Sequence, residues 1–262
     1  MRNHDEIAES WSDLQNRLFA VPFDPQVGRF RSGLVFRGVG NAANARLITS
    51  LMRLGGDPRG KEQHLLRNFR KYAYLEGNPI DSVWYWLALG QHHGLPTRLL
   101  DWTYSPLVAL HFATADLDHM ERDGLIWCVD VDETMAFLPR ELAALLDAEG
   151  AHVFTADLLE HAASTLEELD SLPGEFVVFL EPPSLDARIV NQFALFSLLS
   201  SPTACLDDWL LSHAAAYRRI VIPASLKWEV RDKLDQANIT ERVLLPGLDG
   251  LSAWLKRYYF TK

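Results

Sequence analysis

The chain has 262 residues, enough for one large domain with a sizeable core. Its net charge of −10 argues against a general electrostatic grip on nucleic acid, whose phosphates it repels on average, and leaves room for a local basic patch. Cys128 and Cys205 stand far apart, outside any Cys-x-x-Cys or Cys/His set, so no metal site is expected and both read as core thiols of a reducing compartment.

The opening Met1-Arg2-Asn3-His4-Asp5-Glu6 is polar, with no signal-peptide core behind it. No apolar run approaches the roughly 20 residues of a membrane helix. A cytoplasmic protein with no membrane partner is the expectation. Ile7, Trp11, Leu14 and Leu18 recur at helical spacing and predict a first helix over about residues 5–19. Leu34-Val35-Phe36-Arg37-Gly38 reads as a strand ending in a glycine turn. Leu65, Leu66, Phe69, Tyr72 and Ala73 predict a helix over 61–75, and Trp84, Trp86, Leu87 and Leu89 another that stops near Gly90.

The stretch from Gln91 to Pro106 then gathers His92, His93, Thr97, Arg98, Asp101, Trp102, Thr103, Tyr104 and Ser105 ahead of an apolar helix over 106–117. Gly94-Leu95-Pro96 marks a turn and Thr97 to Leu100 a strand. Ser105 before Pro106 is a helix start: its hydroxyl caps free amides and proline suits the first turn. Further on, 124–131 is a buried strand, 133–172 an acidic helical connecting region, and 176–180 a strand stopped by Pro182-Pro183. Ile189 to Leu199 suits either strand or short helix; if extended, Arg188, Val190 and Gln192 share one face. A strand over 219–223, a Ser225-capped helix over 226–237 and a last helix over 250–259 complete the chain. Strands and helices alternate irregularly, without a repeated βαβ unit, which favours α+β: a single domain with a small mixed sheet surrounded by helices.

Several of these residues suit anion and nucleotide chemistry. Arg37 at a strand end offers a planar fork for phosphate or carboxylate, and Gly38 permits close approach of a ligand or backbone. Adjacent His92 and His93 on a strand point to opposite faces, so both cannot enter one pocket. Arg98 and Asp101 can pair and orient their neighbours. Trp102 and Tyr104 suit stacking on a planar ring or the core. Thr103 and Ser105 sit where a helix N-terminus favours an anion. Gln192 is no base at neutral pH but can hold a hydroxyl. The nucleophile elbow, the Gly-rich phosphate loop and the dinucleotide fingerprint are all absent.

Phe36-Arg37-Gly38, the segment from Gln91 to Ala113, and more weakly Arg188 to Phe196, resemble the FRG-domain family, named for its Phe/Tyr-Arg-Gly motif. The resemblance assigns residues 1–19 to an N-terminal helix and 20–262 to the domain. More distantly the chain is similar to ADP-ribosyltransferases of the Arg-Ser-Glu type, with Arg37 as their strand arginine, Thr103-Tyr104-Ser105 before Ala109 and Phe112 as their hydroxyl strand, and Gln192 where they carry a catalytic glutamate. That resemblance implies an ADP-ribosyltransferase-like fold and NAD as substrate. Arg37, Asp101, Thr103, Ser105 and Gln192 would take the catalytic roles. Arg37, Gly38, His92, His93, Thr97, Arg98, Trp102, Tyr104 and Arg188 would line the nucleotide. Transfer of ADP-ribose to a protein or nucleic-acid acceptor, or NAD cleavage, follows as the expected activity, of the kind used by toxins and antiviral effectors. The replacement of glutamate by Gln192 keeps a non-catalytic nucleotide- or protein-binding module open. A small-molecule hydrolase using Asp101 and a histidine ranks lower.

Overall fold

The computed structural model describes residues 5–25, 27–73, 82–184 and 186–261. Its strands are β1 (Asp5–Ile7), β2 (Phe23–Asp24), β3 (Arg29–Phe30), β4 (Leu34–Val39), β5 (Leu100–Thr103), β6 (Gly124–Asp130), β7 (Phe154–Thr155), β8 (Val177–Glu181), β9 (Ala194–Leu199) and β10 (Tyr217–Ile222). β2 and β3 pair only with each other, and the other eight form one mixed sheet in the order β1-β10-β6-β4-β5-β9-β8-β7. The α+β class holds, with a larger sheet than the small core expected.

Strand alternation sorts the apolar residues into layers. Val35, Leu100, Trp102, Trp127, Phe179 and Leu195 share one face of the sheet, under Trp209 and Leu210. On the opposite face the cover is divided. Phe36, Ile126, Cys128 and Ile220 pack under the helices Trp11–Leu18, Pro106–Thr114 and Ala224–Gln236. Leu99, Val178, Leu180, Phe196 and Leu198 pack under Pro58–Ala73, Val83–His92, Arg140–Glu149 and Ala156–Ala162.

The sheet also parts along its middle. β4 pairs with β6 over six residues, Leu34–Asp130 to Val39–Leu125. With β5 it pairs only where Phe36 meets Thr103, while β5 continues on β9 through four pairs. Beyond Phe36 the two strands diverge, and this split lies between the two groups of covering helices.

Several expectations need correction. The first helix is Trp11–Leu18, capped by Ser10, and residues 5–7 are a strand parallel to β10. The helix expected to Leu75 is Pro58–Ala73, with 74 and 75 outside the described residues. Residues 133–172 are not a connector: their helices bury Leu142, Leu146, Leu159 and Leu169 in the core, and Phe154–Thr155 adds the edge strand β7. The central strand starts at Leu100 rather than Thr97. Ala187–Gln192 is a helix, because Asp186 caps it by accepting from the amides of Arg188 (2.8 Å) and Ile189 (3.1 Å). Only Ala194–Leu199 is extended. The helix expected to begin under a Ser225 cap starts instead at Ala224, after Pro223.

Candidate functional site

The split between β4 and β5 forms a cleft of about 320 Å³. Phe36 and Phe196 lie under it, Arg37, Asp101 and Thr103 border the split, and Phe112, Gln91 and His92 come from the flanking helices. Arg188, Ile189 and Gln192 close it from the Ala187–Gln192 helix. Gly38 explains how tightly the Pro106–Thr114 helix sits here. A Cβ on residue 38 would collide with the carbonyl oxygen of Ala109 and approach Ala113 N to 2.8 Å. The glycine is therefore needed for backbone packing.

A chain of hydrogen bonds sets the charged pair at the split. The Thr97 hydroxyl donates to Gln91 Oε1 (2.5 Å), which turns the Gln91 amide nitrogen onto Asp101 Oδ1 (3.0 Å). Arg37 Nη1 donates to the Asp101 carbonyl (2.5 Å) and lies 3.6 Å from Asp101 Oδ2. Arg37 thus ties together two strands that no ladder joins at this level. Its Nε and Nη2 have no partner among the described residues and remain for a ligand. Burial lowers the Arg37 pKa and the charge of Asp101 opposes that; Arg53 adds repulsion. An arginine so placed stays cationic at neutral pH.

The other wall is fixed by Asp186. Besides capping the helix, its carboxylate accepts from His92 Nε2 (2.8 Å), which fixes the proton on that ring nitrogen. Burial would raise its pKa, but the Ile189 amide, His92 and the Arg188 amide hold it below the ordinary carboxylate value. Arg188 and Gln192, one helical turn apart, both line the cleft. The Gln192 side chain, however, donates to the Leu244 carbonyl (2.9 Å), as Asn191 does to Val243 (2.7 Å). Thr103 is similarly committed: its hydroxyl donates to the Gln192 carbonyl (2.7 Å) and accepts from the Ser105 amide (3.0 Å).

Of the residues expected here, Arg37, Gly38, His92, Asp101, Trp102, Thr103, Arg188 and Gln192 meet at the cleft. Trp102 does so without its indole, which packs on the far face against Phe179 and donates to Ser197 Oγ (2.8 Å). Arg98 is elsewhere: buried, it binds Glu62 (2.6 Å) and Asp170 (2.5 Å), not Asp101. Burial acts to lower its pKa, but these two carboxylates outweigh it and the net shift is upward. Thr97 is buried and acts through Gln91. Ser105 caps the helix through the Val108 amide (3.4 Å). Tyr104 donates to Glu181 (2.9 Å) in a separate groove, and burial together with Glu181 raises its pKa. His92 and His93 are not on a strand. They end the helix Val83–His92, with rings edge to face, and exposed His93 does not reach the cleft.

Gln91, Phe112, Ile189 and Phe196 belong to the site beyond those expected. Phe112 is exposed on a helix whose neighbours Leu110, His111 and Ala113 are buried, which the apolar run around it does not reveal. Among the described residues no histidine is bonded to Asp101, whose side chain meets Gln91 and Arg37 instead. Outside the cleft, Cys205, Asp207 and Asp208 form a cluster of metal-ligand types, but Arg46 binds both carboxylates (3.1 and 2.7 Å).

Gly38 lies within β4, which runs on to Val39, and not in the turn expected there. The strand pair, Arg37 and Gly38, and the helix behind Ser105 all fall within one matched stretch. Residues 32–122 match the family model of the FRG domain, and are similar to it over that stretch. The matched stretch supplies β4, β5 and the Pro106–Thr114 helix, hence Arg37, Asp101 and Phe112; His92 and Gln91 lie within it too. Arg188 and Gln192 come from beyond it. No curated protein and no solved structure matches the chain. No helix among the described residues is long and apolar enough to cross a membrane.

Proposed function

We propose that the cleft binds NAD or a related nucleotide as substrate and cleaves or transfers it at the ribose C1′. The observation that carries this reading is the Arg37–Asp101 arrangement: a cation with unused donors, beside a carboxylate oriented by Gln91, in a gap of the sheet. Arg37 and Arg188 suit the diphosphate as forked donors. Phe112, exposed at the wall, suits a planar ring. The volume of about 320 Å³ is at the small end for organic ligands, so the cleft takes one nucleoside half and the remainder extends into solvent.

In this reaction the C1′–N bond breaks, and nicotinamide leaves with the electron pair. The ribose develops oxocarbenium character, which an adjacent carboxylate stabilises. Water or an acceptor nucleophile then bonds to C1′ and releases a proton. Asp101 is the carboxylate of the cleft, and it takes the place that Gln192, bonded to Leu244, does not fill. A second reading, binding without turnover, is favoured by the commitment of Thr103, Ser105 and Gln192 to backbone partners.

The test is incubation of the purified protein with NAD, followed by mass spectrometry of nicotinamide and of ADP-ribose on candidate protein and nucleic-acid acceptors. Turnover is expected, with Asp101→Asn reducing it at least tenfold and leaving binding in place. Absence of nicotinamide release and of modified acceptor refutes the catalytic reading. Unchanged turnover in the Asn variant removes Asp101 from the chemistry.

A further inference from the structure

The last helix, Leu248–Tyr258, wears its polarity reversed. It meets the body through Gly250, Arg257 and the half-buried Trp254, which recur at helical spacing. Gly250 lets the backbones touch: a Cβ there would approach the Glu241 carbonyl to 2.7 Å. Buried Arg257 binds Glu241 (2.6 Å) and Asp235 (2.7 Å). Its apolar residues face outward instead. Leu248 is 79% exposed, Leu251 36%, Leu255 39% and Tyr258 59%; just past the helix Tyr259 is 75% exposed and Phe260, stacked on Trp228, 47%. With about 200 Å² for each large side chain when fully exposed, these expose roughly 600 Å². That is at the top of the range for a monomer's largest apolar patch, about 300–600 Å². It approaches the ~800 Å² that each partner contributes to a standard interface.

We propose that a second copy of this chain covers this face, the two helices lying antiparallel about a twofold axis near residue 253. The sequence of the helix is complementary to itself in that arrangement. Leu251 falls opposite the partner's Leu255, and Leu248 opposite the partner's Tyr258. The first turn is acidic at Asp249 and the last basic at exposed Lys256, so antiparallel packing sets unlike ends side by side. Such an interface is isologous and closes after two copies. It borders the cleft's support, because the Glu241–Leu244 turn that seats this helix also accepts the hydrogen bonds of Asn191 and Gln192.

Sedimentation equilibrium of the whole chain at micromolar concentrations tests the proposal. The expected mass is twice that of one chain. The Leu251→Asp/Leu255→Asp double variant should sediment at half the wild-type mass, with unchanged circular dichroism and melting. Leu248→Glu alters the most exposed of the six and should weaken association at least tenfold even if the double variant does not fold. A wild-type protein that sediments as one chain throughout, or variants that keep the doubled mass, overturns it.

Discussion

Replacing Gly38 by alanine probes the packing that creates the cleft. The added methyl would collide with the Ala109 carbonyl and come within 2.8 Å of Ala113 N, both backbone atoms of the Pro106–Thr114 helix. No side chain can rotate away, so the helix must recede from β4 by on the order of an ångström, against a close-packed core. That helix buries Val108, Ala109, Leu110 and Ala113, and forced expansion of such a core costs about 1–3 kcal/mol, occasionally more. Alanine also restricts the unfolded chain, which offsets about 0.4–1 kcal/mol. The net loss is about 1.3 kcal/mol, or roughly 3–5 °C in Tm for a protein of this size. Urea unfolding followed by tryptophan fluorescence measures it, with Arg37→Ala as the comparison, which should lose about 1 kcal/mol for one hydrogen bond. A Gly38→Ala midpoint within error of the wild type, with the fold intact, would refute the close approach of helix and strand.

Two further perturbations separate structural from ligand-binding groups. Arg98→Ala should destabilise the chain by about 3–5 kcal/mol, since Glu62 is left buried and unpaired, while the protein that remains folded keeps its ligand affinity; a loss of affinity without loss of stability contradicts that placement. His111 titration gives the second. Arg231 Nη1 lies 3.0 Å from His111 Nδ1, and a guanidinium only donates, so the imidazole is neutral. Burial, then the charge of Arg231, pulls its pKa down to about 3. Because the folded value lies below the unfolded one of about 6.5, the contribution is present above pH 6.5 and is lost as pH falls, at about 1.4 kcal/mol per unit. His111→Gln should flatten the fall in stability measured between pH 6.5 and 4.5; an unchanged slope would show that His111 titrates normally.

Much of the site was legible locally. The strand carrying Arg37 and the Ser105-Pro106 helix start follow from short-range signals and are present. Partners distant in sequence were not legible. Arg98 and Asp101 are close in the chain, yet Arg98 is claimed by Glu62 and Asp170, 36 and 72 residues away. The Gln192 amide nitrogen, at the cleft wall, is taken by a carbonyl 52 residues later. A usable signal was overlooked at Asp186, whose side chain caps a helix and decides that Arg188 and Gln192 are one turn apart rather than on a strand. The parting of β4 from β5 is a property of two ladders together, and no single segment displays it.

Isothermal titration of NAD into the wild type and Arg37→Ala tests the central claim, an anion-binding nucleotide cleft at the split of the sheet. One site per chain is expected, with affinity reduced about 10- to 100-fold in the variant, as for the loss of charge-assisted hydrogen bonds worth about 1.5–3 kcal/mol. Wild-type protein that takes up no NAD, or a folded Arg37→Ala variant that binds it equally well, would contradict the claim.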